Sequence, residues 1–595
     1  MSSTNLKSKT SWDLSKLFLS LDDPQINSLQ EQNKKTISQF VTNWKDRTDY
    51  LSDPRVLSQA LAEYEKFDRQ FGTYDRIGYF YSLSQSLDSS DATLKAAIGK
   101  LHDLVVKAHN DLEFFFHRIS KIDPQKHQTF LTHPDLSQYK HFLFKLFEES
   151  KHVLSEPEEK ILTLTSKSSF SSWVKMTDEF IDASIEKGKT LEQWLSQIQH
   201  KEQKVRDEAN KAINKILKTH VKVAEHEINA ILHTKKVSDE LRQFSRPDQS
   251  RHLSDDVDSI VVDTLIKSVS DNFSVSHEWY QLRASLMGRK TINYQDRLAS
   301  LDAQDQKFQF QKASELVSKV FHDLDTQFGN IFDQYLQSGQ IDVFPKLNKS
   351  GGAFCAHLGL DHPTYILLNH TDTLRDCLTL AHEAGHGINN ELMKEKCNSY
   401  DFGTPVSTAE VASTFCEDFV LDKLATNATP RQALDILIHK IDDDISSIFR
   451  QVALYRFEQE LHSSFREQGF LSHQTIGELF IKHMSAYTGP AVKYQEGHQN
   501  WWVYWSHIRS FFYVYSYASG LLISKSLQTS VRADKKFIFK VKEFLSAGTS
   551  DSPKNIFARL GVDITDEMFW EKGISQIKEN ISKARSLAQE LKLYR

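Results

Sequence analysis

Over long stretches of this chain, apolar residues recur three and four positions apart with nothing to break the pattern. That spacing is met by helices packed through one face. Residues 190–235 and 257–287 contain neither proline nor glycine. Nearer the start, Val56, Leu57, Leu61, Tyr64, Phe67 and Phe71 form such a stripe. It lies between two proline breaks, Leu51-Ser-Asp-Pro-Arg and Thr132-His-Pro-Asp. Residues 152–163 read as a helix start, with Ser155 as cap, Pro157 in the first turn and acids near the positive end. Only 12 prolines and 21 glycines occur in 595 residues, which suits long helices and leaves little room for linkers.

The pattern is interrupted over residues 340–370. Gln340-Ile-Asp-Val-Phe, Lys349-Ser-Gly-Gly-Ala-Phe and Thr364-Tyr-Ile-Leu-Leu-Asn read as short extended runs around a Gly351-Gly352 turn. A small sheet is therefore expected, immediately before the helix that carries His382-Glu-Ala-Gly-His386. After residue 371 the helical pattern resumes almost to the end.

Length alone suggests about three to four units, although one large helical body can wrap a cleft. With 39% hydrophobic and 26% charged residues, the chain has an ordinary globular composition. A net charge of −6 gives no basic surplus, so no nucleic-acid partner is expected. Cys355, Cys377, Cys397 and Cys416 form no CxxC pair, which speaks for reduced thiols rather than a disulfide framework or zinc knuckle. The first residues lack the apolar run of a signal peptide. The longest apolar-aromatic run, Phe511–Ile523, is too short to span a bilayer. A soluble, cytoplasmic protein with no membrane partner is expected.

His382 and His386, four apart on a helix, lie on one face and can hold one zinc through imidazole nitrogens. Glu383, rotated by about 100° from His382, can reach a water in the open coordination position. Thr373 and Asp376 resemble a capping box that starts this helix. A third ligand is needed. Asn389 and Leu392 stand where an extended histidine motif would have Gly and His, so the ligand must come from further on. Glu410 is the candidate, and Ser407-Thr-Ala-Glu410 can equally be a capping box in which Glu410 only closes a helix end. Glu417, two turns on, is either an acceptor for a ligand imidazole or a solvated helix residue. The aromatic run 501–523 reads as a mostly buried helix. His507 and Arg509 are unusual within it, and Tyr513, Tyr515 and Tyr517 bring hydroxyls that need partners. His and Tyr facing the metal could donate to an oxyanion.

In these residues the chain resembles the oligoendopeptidase F branch of the M3 (thimet oligopeptidase-like) family. The resemblance covers nearly the whole length. It is carried by Trp12-Asp-Leu-Ser-Lys-Leu-Phe18, His152–Ile161, Val205–Ala209, Thr364–Asn369, Leu378–His386, Ala409–Thr414, Phe449-Arg-Gln451 with Phe457-Glu458, and Trp505–Gly520. It implies a mainly α, two-lobed body enclosing a deep channel, with a small sheet beside the zinc-site helix. It also implies one Zn2+ held by His382, His386 and Glu410, with Glu383 as general base. The family's oxyanion donors fall on His507 and the tyrosines, where Tyr513 and Tyr517, four apart on one face, are favoured. Gly351, Gly352, Tyr365 and Asn369 are candidate substrate-binding residues, through pairing of a peptide with the Thr364–Asn369 strand. The expected partners are oligopeptide substrates, and the expected state is a monomer or weak homo-oligomer. The expected layout is an N-terminal helical region over 1–115, a helical M3 N-terminal-type domain over 116–200 and a zinc peptidase domain over 201–595.

Overall fold

The structure is a computed structural model that describes residues 8–301, 307–426 and 428–593. Helices begin where the sequence offers caps. Asp53 accepts from Arg55 N ahead of Pro54 and starts the Pro54–Gln70 helix. Ser155 and Glu158 close a reciprocal capping box before Glu156–Ser166, and Thr373 and Asp376 do the same before Leu374–Lys394. The chain is mainly helical, and its apolar side chains gather into two cores.

The first core runs from Trp12 to Phe147 and also takes in Tyr365 and Leu367. The second runs from Ile181 to Ala588. Its organising element is the Gln203–Leu241 helix, 39 residues long. These cores are the two lobes. One corrects the expected layout: a boundary at 115/116 falls inside the continuous Ala92–Ser120 helix, whose Leu112, Phe115 and Ile119 serve the same core as Leu94 and Leu101. A helix that presents one apolar stripe along its length cannot be divided between cores at its middle.

Five short strands are described. β1 (Ile292–Asn293) pairs in parallel with β5 (Val492–Lys493) in the second lobe. β2 (Ile341–Asp342), β3 (Phe354–Ala356) and β4 (Tyr365–Leu367) form the expected small sheet, in the order β2-β4-β3. β2 runs parallel to β4, and β3 antiparallel. The Thr364–Asn369 run is therefore the central strand, with both ladders already filled. A peptide cannot pair with it as expected, and the sheet's edges belong to β2 and β3. The sheet is held to the first lobe by Trp12 Nε1, which donates to Ile366 O, and by Tyr365 Oη, which donates to Asp13 O. Tyr365 is wholly buried there, so its side chain is not a substrate contact.

The aromatic run also differs from expectation. It is not one helix. Two 3-10 segments, His498–Tyr504 and Ser506–Arg509, precede a turn, and a helix begins only at Tyr515. Phe511 and Phe512 both have positive φ, of 43° and 56°, which no α-helix accommodates.

Candidate metal centre

The Leu374–Lys394 helix presents His382 and His386 one turn apart, with ring centroids 5.1 Å apart. Against it packs the Val411–Thr426 helix, and Glu410 lies just before that helix begins. The close approach depends on Gly385. A Cβ there would meet Ala412 O and Ser413 Cα, each at 2.7 Å. From the other side Gly520 faces Glu410, where an added Cβ would come within 3.1 Å of the glutamate Cβ. The Glu410 segment is thus packed between two positions that carry no side chain.

Glu410 Oε2 stands 3.2 Å from His382 Nε2 and 3.5 Å from His386 Nε2. The three ligand atoms all lie within 4.8 Å of one another. Ligands about 2.05 Å from a tetrahedral zinc are about 3.3 Å apart, so these separations are those of zinc-sphere edges. The donor set, two imidazoles and a carboxylate, is one that zinc accepts. Side chains here are 25–36% exposed, so solvent reaches the cluster. Electrostatics point the same way. Burial alone would push the Glu410 carboxyl up, but His382 and His386 outweigh it and hold the group well below the usual carboxylate range. Burial opposes charge on His382 too, yet Glu410 and Glu417 raise it to about 10. The carboxylates of this cluster favour positive charge between them.

The capping-box alternative for Glu410 fails. Ser407 Oγ makes no hydrogen bond, and Glu410 Oε2 accepts from Ser413 Oγ at 3.0 Å while facing the imidazoles. The two readings of Glu417 also separate. Its Oε2 lies 2.9 Å from His382 Nδ1, on the far side of the ring from the cluster. That contact leaves Nε2 to face Glu410. Glu383 is 8% exposed, and burial pushes its carboxyl up, with the two imidazoles pulling the other way.

His507, Tyr513 and Tyr517 come together around the turn rather than along a helix face. His507 Nε2 and Tyr517 Oη are 3.2 Å apart, and the Tyr513 and Tyr517 rings meet edge to face at 5.5 Å. Burial, then Tyr513, then Glu410 raise Tyr517 to about 12, so its hydroxyl keeps its proton. Burial and the Arg450 charge lower His507, which favours the neutral ring. Its Nδ1 has no hydrogen-bond partner among the described residues. Tyr515 points elsewhere, donating to Asp255 at 2.7 Å.

The glycine turn lies beside the sheet. Asn369 Nδ2 donates to Ser350 O at 2.9 Å and to Gly352 O at 2.8 Å, so its amide is spent on holding this loop. A Cβ on Gly351 or Gly352 would meet nothing within 4 Å. Gly352 needs its freedom for a φ of 72°, but among the described residues nothing stands where a side chain at 351 would go. Sequence reasoning missed Gly385 and Gly520 as packing positions. Both are visible as small residues within Leu378–His386 and Trp505–Gly520, but their partners lie far off in the sequence.

Comparison with known proteins gives one consistent result. The family model described as Peptidase family M3 matches residues 196–576, and one described as Oligopeptidase F matches residues 118–183. An oligoendopeptidase F homolog of Borreliella burgdorferi is 25% identical over 95% of this chain and 99% of its own. The group B oligopeptidase PepB of Streptococcus agalactiae is 24% identical over 98% of both chains. Among solved structures, a candidate peptidase from Chlamydophila abortus superposes with a TM-score of 0.86 at 20% identity, covering 97% of this chain and 98% of its own. Oligoendopeptidase-F from Enterococcus faecium gives 0.67 at 17% identity, covering 95% and 98%. These structural likenesses carry the fold.

Proposed function

Because the chain belongs to peptidase family M3, we propose that it is a zinc-dependent endopeptidase that cuts internal bonds of short oligopeptides. One observation carries the reading: a single carboxylate oxygen stands 3.2 and 3.5 Å from two imidazole nitrogens. His382, His386 and Glu410 would hold one zinc per chain, with Glu417 keeping the His382 ring in register. Bound zinc supplies the Lewis acidity that polarises the scissile carbonyl and acidifies a water. Glu383, next to His382 and buried, takes a proton from the attacking water and passes it to the leaving nitrogen. Its raised pKa suits a base that must also give the proton back. Tyr517 and His507 donate to the carbonyl oxygen as negative charge develops, and Tyr513 supports the Tyr517 ring. The carbon–nitrogen bond breaks, a carbon–oxygen bond forms, and the departing amine keeps the proton carried by Glu383.

The peptide lies between the lobes, its backbone along the edge strand β3. The Gly351-Gly352 turn, held open by Asn369, lets a backbone come close. We further propose that the enzyme works in the cytoplasm as a monomer or weak homo-oligomer, since its four cysteines are unpaired. No helix of the described residues is long and apolar enough to cross a membrane.

Glu383→Gln is the direct test. Zinc content should stay at one per chain while hydrolysis of a quenched-fluorescence peptide falls by about a thousandfold. Near-normal turnover in this variant would sink the base assignment. Blocking both peptide ends should leave cleavage intact, whereas an exopeptidase would stop.

A further inference from the structure

Two consecutive phenylalanines, Phe511 and Phe512, hold a left-handed backbone that bulky residues rarely adopt. The turn they make separates His507 from Tyr513 and Tyr517, so its shape sets where those side chains meet. Such a conformation persists only when its surroundings over-determine it. The surroundings here are specific. Glu458, on the Arg450–Gln468 helix, is wholly buried, and its Oε2 accepts the Phe512 N–H at 2.7 Å. Its Oε1 has no partner, and no ion pair is made by this carboxyl among the described residues. Burial pushes it up to about 8, so it is mostly neutral at pH 7.

The flanks of the turn are fixed independently. Buried Arg509 forms a two-pronged pair with Glu227 at 2.9 and 2.7 Å, and donates to Trp502 O and Trp505 O. On the other flank Tyr515 donates to Asp255, which also receives Arg251 at 2.7 Å. The Arg251 guanidinium in turn lies over the Tyr513 ring, 5.0 Å from its centroid. Between these anchors, Glu458 is the side chain that bonds the backbone of the left-handed pair.

We propose that Glu458 is a positioning residue for catalysis, holding the Phe511–Phe512 turn so that Tyr513 and Tyr517 face His507 beside the metal cluster. This rests on the reading of Tyr517 and His507 as oxyanion donors. A carboxyl kept in the core for packing alone would need no acceptor oxygen. Glu458 is therefore distinguished from a packing residue by what replaces it: glutamine keeps a neutral acceptor, and methionine keeps similar bulk without a strong one.

The test compares Glu458→Met, Glu458→Gln and Tyr517→Phe, with kcat and KM normalised to folded, zinc-loaded protein. Glu458→Met should lower kcat roughly tenfold or more, with KM within about threefold and zinc content unchanged. Glu458→Gln should recover most of that loss. In metal-free protein, amide exchange over residues 508–517 should quicken in the methionine variant and not in the glutamine one. Wild-type kcat and exchange in Glu458→Met, with Tyr517→Phe impaired, overturn the Glu458 proposal alone. Equal losses in both Glu458 variants also overturn it. Full activity in Tyr517→Phe overturns the donor reading on which it rests.

Discussion

Glu417 is placed to steady His382 rather than to touch a substrate. Its contact at 2.9 Å with His382 Nδ1 fixes which nitrogen faces the cluster. Glu417→Ala should weaken zinc binding by about 10–100-fold, measured by competition with a chromogenic chelator. Unchanged affinity would return Glu417 to the role of a solvated helix residue. The reach of sequence reasoning is visible at this scale. His382, Glu383 and His386 were legible because helical spacing alone places them. Glu410 was legible by resemblance but open by spacing, since a capping glutamate looks identical. Tyr513 and Tyr517 are favoured over Tyr515 in the sequence as residues four apart on one helix face, and that pair does meet His507, but around a turn rather than along a helix. Their directions are set by a left-handed Phe-Phe pair, for which the sequence carries no glycine signal.

At the scale of elements, the site depends on how closely two helices approach. Gly385→Ala would drive a Cβ into the Ala412–Ser413 backbone, and backbone cannot swing aside as a flexible side chain can. The expected cost is about 1–3 kcal/mol of stability, together with loss of zinc as Glu410 is pushed from the imidazoles. Elemental analysis beside a urea titration checks both, and a variant with full zinc and wild-type stability contradicts the packing account. The sheet was foreseen as a sheet but not in its order. Strands of two or three residues carry too little alternation to say which one is central. The consequence is that Tyr365, expected as a substrate contact, is a buried anchor of the sheet.

For the whole molecule, one seam between the lobes is the loop that leaves the Leu374–Lys394 helix. Tyr400 inserts into the first core against Tyr64, Phe116, Tyr139 and Phe142, and its hydroxyl donates to Leu61 O. Tyr400→Ala should cost about 3 kcal/mol, seen as earlier unfolding of the first lobe in urea. An unshifted midpoint would mean that this seam is not structural. Next to it, burial raises the Asp401 carboxyl to about 6, above its ordinary value of 3.8. The folded state therefore keeps a proton that the unfolded chain gives up, and stability is lost as pH rises through 6. Asp401→Asn should gain about 1–2 kcal/mol at pH 7.5 and nothing near pH 4. A gain equal at both pH values would rule out this charge as the cause. Helical content was legible from periodicity and the two lobes only from the resemblance, because periodicity does not show that Tyr365 and Leu367 join a core otherwise drawn from Trp12 to Phe147. On the proposed reading, His382, His386 and Glu410 hold one zinc that peptide hydrolysis requires. Chelator-stripped enzyme, titrated with zinc, should regain cleavage of a peptide blocked at both ends in proportion to bound metal, saturating at one zinc per chain. Full cleavage by protein verified as zinc-free would contradict it.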